Sequence, residues 1–340
     1  SIGEISFEQP SELQTIEDTK FIDNAGNSLY GVGTPLITQN ISSLIFINCE
    51  WIRNSAVYSQ QDSNRGGYSN GNGGAFQFGY SEEFYQMKLE FNGCLFDSNK
   101  AESYGGALSI STILPVKILN CEFRNNQAGI KEDNQDPHHG GAIYFDTDFS
   151  YNGKPPSRME SATISNCTFN ENSANNQGKG NSIYIKGNLE TTFTINQNTK
   201  FTNTLNTAEI ASQSSKLILN EVDFSLTSTN GLSSPILFDN NKVDIQGKSY
   251  QKVKTNTNSI FDFKDQTEVS LNECEFIDCE SLKYIISTSS NLFKFENSKI
   301  KYSSDLLNAG LDIVSKESVT INLCNFSKCA YKEPIQGTQG

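Results

Sequence analysis

The sequence predicts an all-β chain wound as a parallel β-helix, with three short strands in each coil of about 23 to 32 residues and loops inserted between them. Three observations carry that prediction. A ring-centred motif returns along the chain: "FIDN" at Phe21, "CEWIRN" at Cys49, "CLFDSN" at Cys94, "CEFRNN" at Cys121 and "CTFNEN" at Cys167. A second marker, Gly-Gly-Ala followed by an apolar residue, returns at Gly73, Gly105 and Gly140, with a degraded form at Gly180. Within a copy, apolar residues alternate over very short stretches and never take the three- and four-residue spacing of a helix.

The elements follow in order along one copy. Leu108 and Ile110 alternate, then Val116 and Ile118, then Cys121 and Phe123. Parity slips between Ile118 and Cys121, so the chain must bend there. If coils stack about 4.8 Å apart as parallel strands, each marker lies over its counterpart in the next coil. One row then holds Cys49, Cys94, Cys121, Cys167, Cys274 and Cys324, and a second holds Trp51, Phe96, Phe123, Phe169, Phe276 and Phe326. A third row, Asn54, Asn99, Asn126 and Asn172, makes an inward amide ladder. Gly-Gly supplies a corner with positive φ or close backbone approach, and Ala fits where little room remains. A single domain is expected over 1–340, with strong repeats over 49–185 and degenerate ones over 186–331. The double spacing before Phe276 implies an unmarked copy near "NKVDI".

Net charge is −13 and the isoelectric point is near 4.7. That balance argues against nucleic acid as a partner, because phosphates demand a basic surface. No apolar run approaches the roughly 18 residues of a membrane span. The last clear copy, "CNFSKCAY", ends at Tyr331 with no capping helix after it. Exposed strand edges need covering, which predicts a longer polypeptide or end-to-end association with another subunit.

"GGA[ILF]" paired with "FxxN" resembles the repeats of chlamydial polymorphic outer-membrane proteins, most closely from Cys49 to Ile185, and is similar to repeats in surface proteins of ciliates and other protists. The resemblance implies a right-handed parallel β-helix at a cell surface or outside the cell, in a family whose members serve as adhesins, antigens and fibres.

Two readings stand for the eight Cys. The ladder cysteines read as small buried hydrophobes. Cys279 and Cys329 each replace the motif's Asn five residues after a ladder Cys, which makes intracoil bridges Cys274–Cys279 and Cys324–Cys329 a second option. No CxxC pair occurs, and the two His stand together at His138 and His139, so neither a metal nor another cofactor is implied. Sequons stand at Asn40, Asn166 and Asn325 as sites for N-glycosylation.

Polysaccharide lyases and hydrolases on this scaffold present carboxylates from outward positions on adjacent coils. Here the outward rows after the glycine corner read Gln77, Ser109, Tyr144, Tyr184 and then Gly79, Ser111, Asp146, Lys186. They contain one acid, and the chain reads as a non-enzymatic structural or adhesive rod rather than an enzyme. Outward acids on the ring strand, Glu50, Asp97 and Glu122, read as a solvated face. Its partners would be glycans or other surface proteins. Long insertions after Cys49 and Cys121 place Tyr80, Phe84 and Tyr85 on one wall of a groove and Phe149 and Tyr151 on the other, over a floor made either by Lys100 to Tyr104 or by Ser111 to Pro115.

Overall fold

The computed structural model describes residues 5–6, 13–26, 35–36, 43–57, 71–78, 88–111, 115–130, 138–147, 161–175, 178–187, 191–205, 208–213, 216–228, 236–239, 242–247, 249–251, 259–279, 284–301 and 309–327. Among them there is no helix, and so none long and apolar enough to cross a membrane. Every strand pairing is parallel, and each strand pairs with its counterpart one coil away. The molecule is a β-solenoid.

One face carries the strand before the ring, as in Ser43–Ile47, Lys88–Asn92, Val116–Leu119 and Ser161–Ser165. A second carries the ring strand, as in Glu50–Ile52, Leu95–Asp97, Glu122–Arg124 and Thr168–Asn170. The third follows the glycine corner, as in Leu108–Ile110, Ile143–Asp146 and Ile183–Lys186. Short pieces such as Lys100–Ala101 join the ring strand to the corner.

Both bends around the ring strand are made by single residues in the left-handed region. Asn120 (φ 55°) turns the chain into Cys121, where parity slips, and Asn125 (φ 55°) turns it out toward Asn126. Asn and Asp tolerate this conformation best, which is one reason the chain is rich in them. The two glycines of the corner have separate reasons. Gly105 sits at φ +66°, whereas Gly106 lies so close to the next coil that an added Cβ would fall 2.0 Å from the Gly141 carbonyl oxygen.

The inward rows form the core. Trp51, Phe96, Phe123, Phe169 and Phe201 are fully buried, and their rings stack face to face at 4.8, 4.6, 4.9 and 4.7 Å. The row continues through Phe224, Tyr250 and Phe276. Tyr250 is the ring of the unmarked copy, in the coil whose first strand is Lys242–Gln246.

The amides are saturated. Asn99 Nδ2 donates to Asn126 Oδ1 (3.0 Å) and to the Trp51 carbonyl (2.9 Å). Its own Oδ1 accepts from the Nδ2 and the backbone N–H of Asn54, both at 3.0 Å. Asn126 and Asn172 repeat the pattern. Asp has no donors for this role, which selects Asn at a buried position.

Cysteine pairing differs from the bridging option. Cys274 and Cys279 are buried thiols that form no disulfide. Cys274 Sγ–H donates to the Ile245 carbonyl (3.5 Å), and Cys279 Sγ–H donates to that of Tyr250 (3.2 Å). Cys279 thus takes the donor role that Asn126 takes toward Phe96, reaching back to the ring residue of the previous coil. Each thiol is held to its own carbonyl, leaving no reason for the two to meet. Cys324 is also free, and Cys329 lies outside the described residues.

Candidate functional site

The outward row of the third face is not bare. Tyr144 and Tyr184 lie one above the other in register and are buried. Tyr104 stacks on Tyr144 at 4.6 Å, and His139 stacks on Tyr184 at 4.2 Å. Ala208 and Ala211 join them, with Leu237 against the edge. This is a second, smaller core on the outside of the solenoid, anchoring the segments on either side of the corner. His139 Nδ1 accepts from the Lys179 N–H at 2.9 Å. Burial, aided by the charge of Lys179, holds the His139 imidazole down at a pKa of about 4, so it is neutral near pH 7. Burial likewise pushes the Tyr144 phenol well above its usual range.

Polar groups edge this cluster. Tyr144 Oη–H donates to Asp146 Oδ2 (3.2 Å), which also faces Lys186 Nζ at 3.4 Å. Tyr184 Oη–H donates to Gln213 Oε1 at 3.2 Å. In the register of that row Asp146 is followed by Lys186 and then Gln213. Asp146 is therefore an ion-paired carboxylate, and Lys186 and Gln213 follow it in that row without a second acid among the described residues there. Among the described residues no group of three or more His, Cys, Asp or Glu could hold a metal ion.

The ring-strand acids are ion-paired, Glu50 and Asp97 across coils and Glu122 within its own strand. Glu50 meets Lys20 (2.9 Å), and Arg124 meets both Asp97 (3.0 Å) and Glu122 (3.2 Å). The Arg124 guanidinium holds the Asp97 carboxyl below the usual range, against the opposing effect of burial.

An interior polar knot marks the end of the amide ladder. Asn203 Oδ1 accepts from the Asn172 N–H at 3.2 Å, and Asn203 Nδ2 donates to Ser182 Oγ (3.0 Å) and to Glu209 Oε2. Ser182 and Glu209 follow Ala142 in the corner row, where Ala142 N–H donates to Ser182 O and Ser182 N–H to Glu209 O. Glu209 is thus a buried carboxyl in the place of the marker's Ala. Desolvation raises its pKa to about 7, and its Oε1 has no hydrogen-bond partner among the described residues.

The structure brings Tyr104 together with Tyr144, Tyr184 and His139, a grouping the repeat pattern did not announce. Its signal was the shared register of Tyr144 and Tyr184 one coil apart, next to "HHGG". Glu209 was equally legible once "TAEI" is aligned on "GGAI". Of the groove residues, Tyr80, Phe84, Tyr85, Phe149 and Tyr151 lie outside the described residues, as does Asn40. Asn166 and Asn325 are exposed. Asn166 Nδ2 donates to Asn120 Oδ1 (2.8 Å), and Asn120 Nδ2 donates to Asn92 Oδ1 (2.9 Å), making an outer amide ladder at the bend.

The fold places the chain among β-solenoids. No family model, no curated protein and no solved structure matches it.

Proposed function

We propose that the chain is a non-enzymatic structural or adhesive rod displayed outside the cell, with glycans or other surface proteins as its partners. The observation that carries this reading is the use of the outward carboxylates. Asp146, Glu50, Asp97 and Glu122 all face cations. General acid–base attack on a glycosidic bond needs two carboxyl groups flanking one space, with one of them held protonated. The outward rows supply ion pairs instead, while the inward rows supply stiffness through nearest-neighbour stacking. The resemblance to polymorphic outer-membrane repeats points the same way, and the sequons suit a secreted chain.

The test is incubation with a panel of acidic and neutral polysaccharides, following release of reducing ends or unsaturated uronates. No release is expected. Release that disappears in Asp146→Ala would replace this reading with a carbohydrate-active enzyme. Peptide mapping of the native protein should find glycan on Asn40, Asn166 or Asn325; a protein from its natural source with none of them modified counts against an extracellular location.

A further inference from the structure

A hydroxyl, a carboxamide and a carboxyl meet in the polar knot that ends the amide ladder. Ser182, Asn203 and Glu209 are all buried. We propose that this knot is a self-modification site, in which Ser182 Oγ displaces the amide nitrogen of Asn203 and leaves an intrachain ester between two neighbouring coils. The inference is independent of what the rod binds.

Each group that the exchange needs is in place. Asn203 Nδ2 donates to Ser182 Oγ at 3.0 Å and to Glu209 Oε2. That nitrogen is one C–N bond from the amide carbon, so Oγ lies within about 4.3 Å of the carbon. A turn about the Asn203 Cβ–Cγ bond closes the gap toward the roughly 3 to 3.5 Å of a reactive approach. The Ser182 hydroxyl faces the Glu209 carboxyl and draws its pKa down against the effect of burial. Glu209 Oε1 has no partner among the described residues. One carboxylate thus reaches both the hydroxyl that must lose a proton and the nitrogen that must gain one. Its pKa of about 7 suits a group that takes and returns a proton near neutral pH. Asn203 Oδ1, where negative charge develops, accepts from the Asn172 N–H at 3.2 Å, a backbone donor of the oxyanion-hole kind.

The neighbouring coils show why Asn203 is the amide that reacts. Ala107 and Ala142 precede Ser182 and Glu209 in the corner row, so that row offers Asn99 and Asn126 neither nucleophile nor base. Asn172 Nδ2 also reaches Ser182 Oγ, at 3.5 Å, but its other bond goes to the Phe123 carbonyl and not to Glu209. In the reaction the Ser182 Oγ proton passes to Glu209 as the bond from Oγ to Asn203 Cγ forms. Glu209 returns the proton to Nδ2 as the Cγ–Nδ2 bond breaks, and ammonia leaves. Glu209 is restored, nothing is oxidised or reduced, and no co-reactant enters. Ammonia escapes and is protonated in water, which draws the exchange forward, while burial keeps water from the ester. The new bond joins residues 21 apart, about one coil, and staples the end of the ladder.

Intact mass and peptide mapping of the folded chain, held near neutral pH for days, test the site. Wild type should lose one ammonia, about 17 Da, with its acyl group transferred to the hydroxyl. The tryptic fragments 180–186 and 201–216 should then run joined and separate in mild alkali. Joining should speed up as pH rises through the range where Glu209 loses its proton. Ser182→Ala should keep full mass and separate fragments. Glu209→Ala restores the residue of the strong copies, so it should keep the fold while joining slows by about 100-fold or more. Three results would each overturn the proposal: a folded wild type that keeps full mass, ammonia loss with the two fragments still separate, or joining at the wild-type rate in Glu209→Ala.

Discussion

The coils from Cys49 to Asn203 and those from Lys242 onward solve the same geometry differently. In the first region the third face and the first face are separate strands, such as Ile143–Asp146 and Ser161–Ser165. In the second they fuse into single strands, Ser259–Asn272, Tyr284–Glu296 and Ala309–Asn322. The old break survives only as register shifts between Phe263 and Gln266 and between Ser290 and Leu292. Among the described residues, Gly-Gly corners and the inward asparagine ladder belong to the first region, while the outer amide pairing at the bend recurs in the second between Asn297 and Asn272. The markers are therefore devices for particular sharp corners, and the stack itself needs only apolar residues in register.

If so, glycines in the two regions should differ most. An added Cβ at Gly106 would meet backbone: Gly141 O at 2.0 Å and Gln127 N at 2.5 Å. At Gly310, in the row where strong copies keep Ala, it would meet the tip of the Ile300 side chain at 2.9 Å. Gly106→Ala should cost more than about 3 kcal/mol by forcing coils apart, while Gly310→Ala should stay within about 1 kcal/mol. Chemical denaturation of the two variants measures both. Equal losses would mean that the corner is not what distinguishes the regions.

The ladder residues give the next contrast. Asn126→Ala leaves the Asn99 N–H without its acceptor and removes one of the two acceptors of Asn99 Nδ2, the side-chain donor to the Phe96 carbonyl, and one of the two donors to Asn172 Oδ1. Several buried hydrogen bonds lost at once should cost about 3 to 5 kcal/mol. Cys279→Ala removes one weak donor and a small volume, for roughly 1 to 2 kcal/mol. Thermal unfolding should rank them in that order, and an Asn126→Ala protein as stable as Cys279→Ala would break the ladder account.

How much of this was legible in the sequence depends on which residues pointed inward. Stacking demands identity at fixed positions, so Cys94, Phe96 and Asn99 recur visibly and disclose the fold. Tyr250 hid because its coil kept the ring but lost the Cys and Asn around it. The outer cluster was harder still: Tyr104, then His139 and Tyr144, then Tyr184 come from three successive coils, and no repeat constrains an outward residue. Of the two readings of the cysteines, buried thiols hold for Cys274 and Cys279 rather than a bridge, because sequence spacing does not show which carbonyl each thiol already faces.

Glu209, at the junction of the two regions, ties stability to pH. Its folded pKa of about 7 stands above the ordinary 4.5. Between those values the folded state holds a proton that the unfolded state has released, so stability falls as pH rises through this window. The loss is on the order of 3 kcal/mol by pH 7 and constant above it. The charge of Glu171 acts in the same direction, while Ser182 and Asn203 oppose it. Glu209→Gln keeps an acceptor for Asn203 and removes the ionisation, so its denaturation midpoint should vary much less between pH 4.5 and 7. A variant with the wild-type slope would show that another group carries the pH dependence.

The smallest effect expected is a gain. Tyr250 lies in a row otherwise filled by Phe on either side, stacked at 5.9 Å from Phe224 and 5.0 Å from Phe276, with Phe261 edge-on at 5.3 Å. Its hydroxyl is buried and has no hydrogen-bond partner among the described residues. Burial also drives its phenol pKa far upward, so the group stays neutral and gains nothing from ionising. Among the described residues the ring row thus holds two such buried polar atoms, this hydroxyl in the degenerate region and Trp51 Nε1 in the strong one. Tyr250→Phe removes the desolvation cost and keeps the ring contacts, and should stabilise the chain by about 1 kcal/mol. Phe123→Tyr makes the reverse change inside the strong region, where the rings sit 4.6 and 4.9 Å from their neighbours, and should destabilise by roughly 1 to 3 kcal/mol. Urea unfolding of the pair decides it: a destabilised Tyr250→Phe would mean that the hydroxyl is bonded after all and that the two regions treat their ring row alike.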